Sequence, residues 1–330
     1  MTRLIDAHIH YADDDADFLQ LLHDVDVHLV NICFVAGYDD DWRAQRALYS
    51  AMAEQEPDYF SWITTFDLPR FDDDSQTAWT DRVLASLEAD FAQGAAGCKI
   101  WKNVGMSVRK ADGSFLLIDD PIFEPIFEYL DEKDHTLLMH MAEPLACWQP
   151  LDERSPHYGY YSTHPQWHMY NHPEYPSHGE LIDARDRVVE RYPDLRIVGA
   201  HLGSLEYDVD EVAARLDRYP NFAVDTSARL GDMAMQDSHK VAEFFDAYQN
   251  RILFGTDIVM SMRPSAMPEE ERRATLQELR ASYAIHFAYF ETEEPLQIKV
   301  ITTTGLGLSQ SILDKIYRTN ALHWYPALHA

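Results

Sequence analysis

The chain has 330 residues, of which 46% are hydrophobic and 25% are charged, so we expect a globular protein with a large core. Its 56 acidic residues outnumber its 27 basic residues, which gives a formal net charge of −29. Such a charge repels phosphate backbones and anionic lipids, and it disfavours binding to nucleic acids or membrane surfaces.

The cysteine pattern excludes a fold held together by disulfides and a metal site of the CxxC type. Cys33, Cys98 and Cys147 are odd in number and widely spaced, so they form neither a disulfide framework nor a CxxC metal motif. We interpret them as core residues in a reducing compartment. No run of 18 apolar residues predicts a transmembrane helix, and the first residues lack the pattern of a signal peptide. We therefore expect a cytoplasmic protein.

Short apolar runs with the length of buried strands alternate with helical patterns along the chain. The predicted strands are Leu4–His10, Val27–Ala36, Phe60–Phe66, Ala96–Trp101, Thr136–Met141, Arg196–His201, Asn221–Thr226 and Arg251–Asp257. The predicted helices are Ala16–Val25, Trp42–Gln55, Thr77–Gln93, Pro121 to about Lys133, Gly179–Tyr192, Asp208–Tyr219, Asp237–Tyr248, Pro268–Ala284 and Ser309–Leu322. The polar run from Asp72 to Ser75 suits the cap of the third helix.

This alternation predicts the α/β class and a single (β/α)8 TIM barrel over residues 1–330. An open doubly wound sheet is the alternative, but no GxGxxG turn follows the first strand. Residues 144–178 are too many for an ordinary loop after strand five, which predicts an insertion that forms a lid or a substrate wall. Residues 260–283 are expected to add a flap, and further helices are expected at about 265–322.

Polar side chains end several predicted strands, on the side of a barrel where active sites lie. Strand one ends in the HxH motif of His8 and His10, whose side chains share one face and can bind one metal ion. Taken alone, each such residue has a structural explanation, as a hydrogen-bonded core histidine, a helix cap or a solvated lysine. Their common placement predicts a metal centre that also includes Lys99, His140, His201 and Asp257.

These residues resemble the amidohydrolase superfamily, and more narrowly its amidohydrolase 2 group of hydrolases, lactonases and decarboxylases. Supporting stretches are GAHLG at 199–203, ILFGTD at 252–257 and ILDKIYRTNA at 312–321, so the resemblance spans residues 5 to about 322. It implies that His8, His10 and Asp257 bind a first metal ion and that Asp257 also moves a proton of the bound water. It implies that His140 is a ligand, and that His201 is a second-metal ligand or a catalytic group near the substrate.

Lys99 decides between a site with one metal ion and a site with two. The resemblance implies either a carboxylated lysine that bridges two ions or an unmodified ammonium group that binds a substrate carboxylate. Both alternatives stay open, and we favour one ion. Histidine and carboxylate ligands suit zinc, which we expect, as well as manganese, iron or cobalt.

The residues proposed to bind substrate are Lys99, Trp101, Arg229, Trp148, His164 and Trp167. Arg229 can clamp a carboxylate, although a salt bridge explains it equally well. Lys102 is predicted to point away from the site, because side chains alternate along a strand. The histidine-rich and aromatic insertion is interpreted as a substrate lid, a structural metal site or a packed loop, and Glu143, Trp148 and Tyr161 are assigned to the same wall.

The predicted function is the metal-dependent hydrolysis of an ester, lactone or amide bond in a small molecule by an activated water. The alternative is a non-oxidative decarboxylase of the same fold, whose members often replace one histidine of HxH with glutamate. A binding protein without catalysis is disfavoured because the full ligand set is present, and no GxSxG motif supports a serine nucleophile. A homo-oligomer is a further expectation.

Overall fold

The computed structural model describes residues 4–38, 41–71, 75–260 and 262–328. Within these ranges, parallel strands form two hydrogen-bonded segments, one of three strands and one of five, in sequential order. The strands are β1 (Leu4–Ile9), β2 (Val27–Ile32), β3 (Phe60–Ile63), β4 (Gly97–Ile100), β5 (Thr136–Met139), β6 (Ile197–Gly199), β7 (Phe222–Asp225) and β8 (Ile252–Leu253).

Backbone hydrogen bonds join the two segments into a closed barrel. Between β3 and β4, the Ala96 N–H donates to the Trp62 carbonyl at 2.8 Å. Between the end of β8 and β1, the Asp257 N–H donates to the His8 carbonyl at 2.7 Å. Both edges are therefore paired, and the predicted (β/α)8 barrel is confirmed.

Helices connect and cover the strands. They are α1 (Ala16–Val25), α2 (Trp42–Gln55), α3 (Gln76–Ala92), α4 (Asn103–Met106), α5 (Glu124–Glu132), α6 (Tyr158–Thr163), α7 (His178–Arg191), α8 (Ala200–Gly203), α9 (Val209–Arg218), α10 (Leu230–Ala234), α11 (Ser238–Ala247), α12 (Glu269–Glu291), α13 (Gln310–Asp314) and α14 (Asn320–Trp324). A π-helical turn, Lys315–Thr319, joins the last two helices.

The predicted bounds of the helices agree with the structure better than the predicted bounds of the strands. Helices α1 and α2 have the predicted bounds, whereas the predicted strand Val27–Ala36 ends at Ile32 and Arg251–Asp257 contains only the two residues of β8. Buried loops at the mouth of a barrel are as apolar as its strands, so an apolar run does not mark where pairing stops. Ser75 caps α3 by accepting a hydrogen bond from the Ala78 N–H, and Asp72–Asp74 lie outside the described residues.

The segment after β8 corrects the prediction of a flap at 260–283. Most of it belongs to α12, which continues to Glu291 and packs against α1 on the outside of the barrel, where Leu279 is buried and Arg280 binds Asp24 at 3.0 Å. Ser261 lies outside the described residues. An antiparallel hairpin that was not predicted, β9 (Pro295–Ile298) and β10 (Ile301–Thr304), follows α12.

Two apolar clusters form the core. The inner cluster fills the barrel with side chains such as Ile5, Leu138 and Leu253, and Trp324 and Tyr325 from the C-terminal segment belong to the same cluster. The outer cluster lies between the strands and the helices. The three cysteines are buried free thiols, as predicted for core residues. Among the described residues, no helix has the length and apolar composition that a bilayer span requires.

A left-handed turn follows β6 and carries His201. The four residues from His201 to Ser204 have φ values between 55° and 64°, a conformation that costs roughly 1–2 kcal/mol for an L-residue. Two side chains of α7 support the turn from below: Arg185 donates to the carbonyl of Gly203, and His178 Nε2 donates to the carbonyl of Ser204 at 2.8 Å. The position of His201 therefore depends on α7.

Acid should destabilise the folded protein through the buried His178. Burial lowers the pKa of His178 from 6.5 to about 4, although its hydrogen bond to Ser204 acts in the opposite direction. The unfolded chain therefore takes up this proton first, and stability falls as the pH decreases from about 6.5 to about 4. When the pH falls from 7 to 4.5, the unfolding free energy of the wild type should decrease by about 2 kcal/mol more than that of His178→Gln. Urea denaturation at the two pH values measures both decreases. Equal losses would contradict this account.

Candidate metal centre

A cavity of about 360 Å³ opens at the carboxyl ends of the strands. We call it the catalytic cavity. Its walls contain all six residues that were predicted at strand ends: His8, His10, Lys99, His140, His201 and Asp257. These residues come from β1 and the residue that follows it, from β4 and from the segments that follow β5, β6 and β8. The closed barrel thus gathers side chains that are far apart in sequence.

His8, His10 and Asp257 form a cluster with the spacing of metal ligands. Asp257 Oδ1 lies 3.4 Å from His10 Nε2 and 3.7 Å from His8 Nε2. Two ligand atoms about 2.1 Å from a tetrahedral ion lie roughly 3.4 Å apart, so these two distances suit ligands of one divalent ion.

An irregularity in β1 directs His8 into the catalytic cavity. Asp6 points outward, where its carboxylate accepts hydrogen bonds from the Thr256 hydroxyl at 2.6 Å and the Tyr283 hydroxyl at 2.9 Å. Strict alternation would send His8 the same way. The pairing with β2 shifts register between Asp6 and Ile9, and such a bulge can re-aim a side chain.

A chain of hydrogen bonds selects the ring nitrogen that His140 offers to an ion. His201 Nδ1 donates to the Ser227 carbonyl at 2.9 Å, which leaves His201 Nε2 as an acceptor. His140 Nδ1 lies 3.2 Å away and is the matching donor. His140 Nε2 then carries a lone pair, and this buried atom has no hydrogen-bond partner. An ion that accepts this lone pair would satisfy it, so the donor set fits a metal.

The protonation states also suit a metal. Burial lowers the pKa of His140 and of His201 well below 6.5, so both imidazoles are neutral, the form that binds metal ions. Burial alone would raise the pKa of Asp257, but the hydrogen bond with His10 and the nearby imidazoles hold that pKa below its ordinary value. The carboxylate is therefore ionised.

Asp225 at the end of β7 orients this group, and sequence reasoning missed it. Its Oδ2 accepts a hydrogen bond from His8 Nδ1 at 2.8 Å, and its Oδ1 accepts from the His201 backbone N–H at 2.8 Å. Burial would raise the pKa of Asp225, but attraction to His8 and the hydrogen bonds from His8 and Ser227 keep it below the ordinary value. His8 Nδ1 is thus occupied and His8 Nε2 is left for an ion. The signal was available, because Asp225 is the penultimate residue of the predicted strand Asn221–Thr226.

Removal of the Asp225 charge should weaken metal binding. A carboxylate that holds a histidine ligand fixes its tautomer and raises its basicity, and its loss typically costs 10–100-fold in affinity. We expect Asp225→Asn to weaken zinc binding by roughly that factor, measured by competition with a chromogenic chelator. Asp217→Asn, on the outer surface, is the control and should bind like the wild type. An unchanged affinity of Asp225→Asn would contradict the assigned role.

Lys99 lies beside the cluster and is fully buried. Its Nζ is 3.2 Å from His8 Nε2, and burial lowers the pKa of Lys99 to about 8. His140 contacts His201 but is not among the three residues of the His8, His10 and Asp257 group. The arrangement is compatible with either predicted state of Lys99.

The prediction that Lys102 points away from the site is wrong. Strand β4 ends at Ile100, so alternation no longer applies at Lys102, which has helical backbone angles and lines the catalytic cavity. Its ammonium group is buried, pairs with Glu143 and lies over the ring of Trp167 at 4.6 Å. Tyr161 donates to the second oxygen of Glu143 at 3.1 Å. This buried ion pair joins the segment after β5 to the segment after β4.

The proposed substrate-binding residues divide into two groups. Trp101 and Arg229 line the catalytic cavity, and Trp167 packs behind Trp101 with ring centroids 5.5 Å apart. Trp148 and His164 are not among the residues that line it. Trp148 packs against His178 and donates to the Pro176 carbonyl, and His164 stacks on Tyr160. Among the described residues two groups have the spacing of metal ligands, His8–His10–Asp257 and His8–His201–Asp225, and neither includes a histidine of the insertion.

Comparisons with known proteins agree with this geometry. A family model described as "Amidohydrolase" matches residues 5–327. No curated protein matches the sequence. Among solved structures, an uncharacterised TIM-barrel protein from Bordetella bronchiseptica is 14% identical, with 98% of this chain and 99% of that chain covered and a TM-score of 0.56.

Two further solved structures resemble the chain. A dihydroxybenzoic acid decarboxylase from Polaromonas, with bound manganese and the inhibitor 2-nitroresorcinol, is 15% identical, with coverage of 100% and 98% and a TM-score of 0.56. A 4-oxalomesaconate hydratase from Rhodopseudomonas palustris is 13% identical, with coverage of 98% and 96% and a TM-score of 0.54. At these identities the likeness concerns the fold alone.

Proposed function

The chain belongs to the amidohydrolase family and is therefore an enzyme, and we propose that it hydrolyses an ester, lactone or amide bond of a small molecule with the help of one divalent ion. The observation that carries the proposal is the spacing of His8, His10 and Asp257 at 3.4 and 3.7 Å on the wall of a cavity large enough for a small molecule. Both positions of HxH are histidine, which favours hydrolysis over decarboxylation.

In this proposal His8, His10, His140 and Asp257 hold the ion, which we propose to be zinc. When bound, the ion supplies Lewis acidity that polarises a substrate carbonyl and acidifies a water molecule. Manganese remains compatible with the same ligands, and the Polaromonas decarboxylase was solved with that metal.

Asp257 is the proposed proton carrier. Its side chain is 24% exposed, against 1% and 9% for His8 and His10, so it can reach a water in the cavity as well as an ion. It accepts the proton of the attacking water and hands it to the leaving group. His201 orients His140 through its hydrogen bond and borders the space where the substrate carbonyl would lie.

Lys99 is proposed to remain an ammonium group, in keeping with one ion. In the fully buried site its charge faces the reacting end of the substrate, where it attracts a carbonyl or carboxylate oxygen. Arg229 supplies a second positive charge, and Trp101 and Phe34, with ring centroids 5.2 Å apart, form an apolar wall.

The second candidate is non-oxidative decarboxylation. The observation that favours it is the pairing of a buried ammonium group, Lys99, with the apolar wall of Phe34 and Trp101 in one cavity. Such a cavity suits a carboxylate carried on a flat ring, and one neighbour in fold is named as a dihydroxybenzoic acid decarboxylase.

Product analysis separates the two candidates. The zinc-loaded protein is incubated in ¹⁸O-labelled water with lactones, aryl esters, amides and aromatic carboxylic acids. We expect one ¹⁸O atom in the product acid, and a loss of about 10³-fold in kcat for Asp257→Asn. His239→Asn, an exposed histidine on α11, is the matched control and should retain activity. Release of CO₂ without ¹⁸O incorporation would reject hydrolysis in favour of the second candidate.

A further inference from the structure

A second cavity of about 500 Å³ lies beside the catalytic cavity. We call it the side chamber. It is bounded by residues 145–157 of the insertion and by α10 with the residues after it. Pro156, His157 and Asp232 line both cavities, so a single layer of side chains separates them.

The layer between the cavities is built from charged groups. His157 Nε2 contacts Asp232 Oδ1 at 2.7 Å. Next to this pair, Glu206 Oε1 accepts a hydrogen bond from the Leu145 N–H at 2.9 Å. Arg229 Nε lies 3.9 Å from Glu206 Oε2, which is too far for a hydrogen bond.

Two carboxylate oxygens in this layer have no partner. Glu206 Oε2 and Asp232 Oδ2 are buried and accept no hydrogen bond, and the two residues are 99% and 91% buried. The Arg229 Nε–H that lies near Glu206 Oε2 is also buried without a hydrogen-bond partner. Both residues line the side chamber. Buried polar atoms are rarely left unpaired in native proteins, so each such atom points to a missing water, ion or ligand group.

The charge balance indicates what kind of group is missing. Asp152, the other acidic residue of the chamber wall, is already paired with Arg154 at 2.6 Å. Glu206 and Asp232 then share one permanent positive charge, that of Arg229, while His157 contributes an imidazole to Asp232. Burial raises the pKa of Glu206 to about 7, although the charge of Arg229 acts in the opposite direction. An ammonium group brings a positive charge and three N–H donors, whereas a hydroxyl brings one donor and no charge.

The remaining walls of the side chamber suit a short alkyl chain. Leu151 and Met235 are exposed apolar side chains of this wall, and Tyr207 adds an aromatic ring. These groups can cover methylene carbons while the charged end reaches the carboxylates.

We propose that the side chamber binds the cationic end of the substrate, a primary ammonium group on a short alkyl chain, which Glu206 and Asp232 recognise. The identity of the bound molecule as substrate rests on the proposed function, because only then does the reacting end lie at His8, His10 and Asp257. Recognition of the ammonium group itself needs no metal.

Binding of two matched probes tests the proposal on the full chain at pH 8. The dissociation constants of n-butylammonium and of 1-butanol are measured by ligand-observed NMR, before and after removal of metal with a chelator. We expect n-butylammonium to bind at least 10-fold more tightly than 1-butanol in both samples. Glu206→Gln should remove most of this preference, and Asp232→Asn serves if the first variant does not fold. Glu174→Gln, at an exposed glutamate of the same insertion, is the control and should keep it.

Equal affinity for the two probes, or an equal effect of Glu174→Gln and Glu206→Gln, would overturn the proposal. Failure of the proposed hydrolase function gives a different pattern: no metal is bound, while the preference for n-butylammonium remains.

The link to substrate is tested with the ester panel, in which an added terminal amino group should raise kcat/KM about 10-fold in the wild type and not in Glu206→Gln. An equal gain in both proteins would reject that link.

Discussion

The hydrogen bonds of the buried Asp225 carboxylate are the interaction on which the rest of the candidate metal centre depends. It accepts hydrogen bonds from His8 on β1 and from the backbone of His201 after β6, and it stands itself at the end of β7. A fully buried charge is costly unless it is paired and hydrogen-bonded, and here every contact also orients a residue of the site. Three strand ends are thereby held in one geometry before any ion binds.

The site is built where regular structure breaks. The bulge in β1 re-aims His8, and residues with positive φ follow four neighbouring strands: Ala142, His201, Ala228 and Asp257. Backbone strain of this kind persists only where surrounding contacts over-determine it, and it tends to gather at functional sites. In the turn at His201 those contacts come from Arg185 and His178. The support of α7 is thus part of what positions the candidate catalytic residues.

Sequence reasoning predicted the barrel because a periodic pattern repeated over eight units is a strong signal, and it predicted His8, Lys99 and His201 because a polar residue at the end of an apolar run is conspicuous. It misjudged Lys102, because alternation holds only while a strand lasts and nothing local marks the end of β4 at Ile100. Glu206 and Asp232 could not be recognised either. No motif marks either residue in the sequence, and only the packing of the insertion beside α10 forms the chamber that both line.

The central claim is that this barrel holds one divalent ion between His8, His10, His140 and Asp257. Elemental mass spectrometry of protein purified without added metal or chelating resin tests it most directly. The account predicts about one ion per chain, lost in His10→Ala and retained in Lys99→Met. Two ions per chain, reduced in Lys99→Met, would contradict the single-ion site, and no ion even after reconstitution would contradict the metal centre altogether.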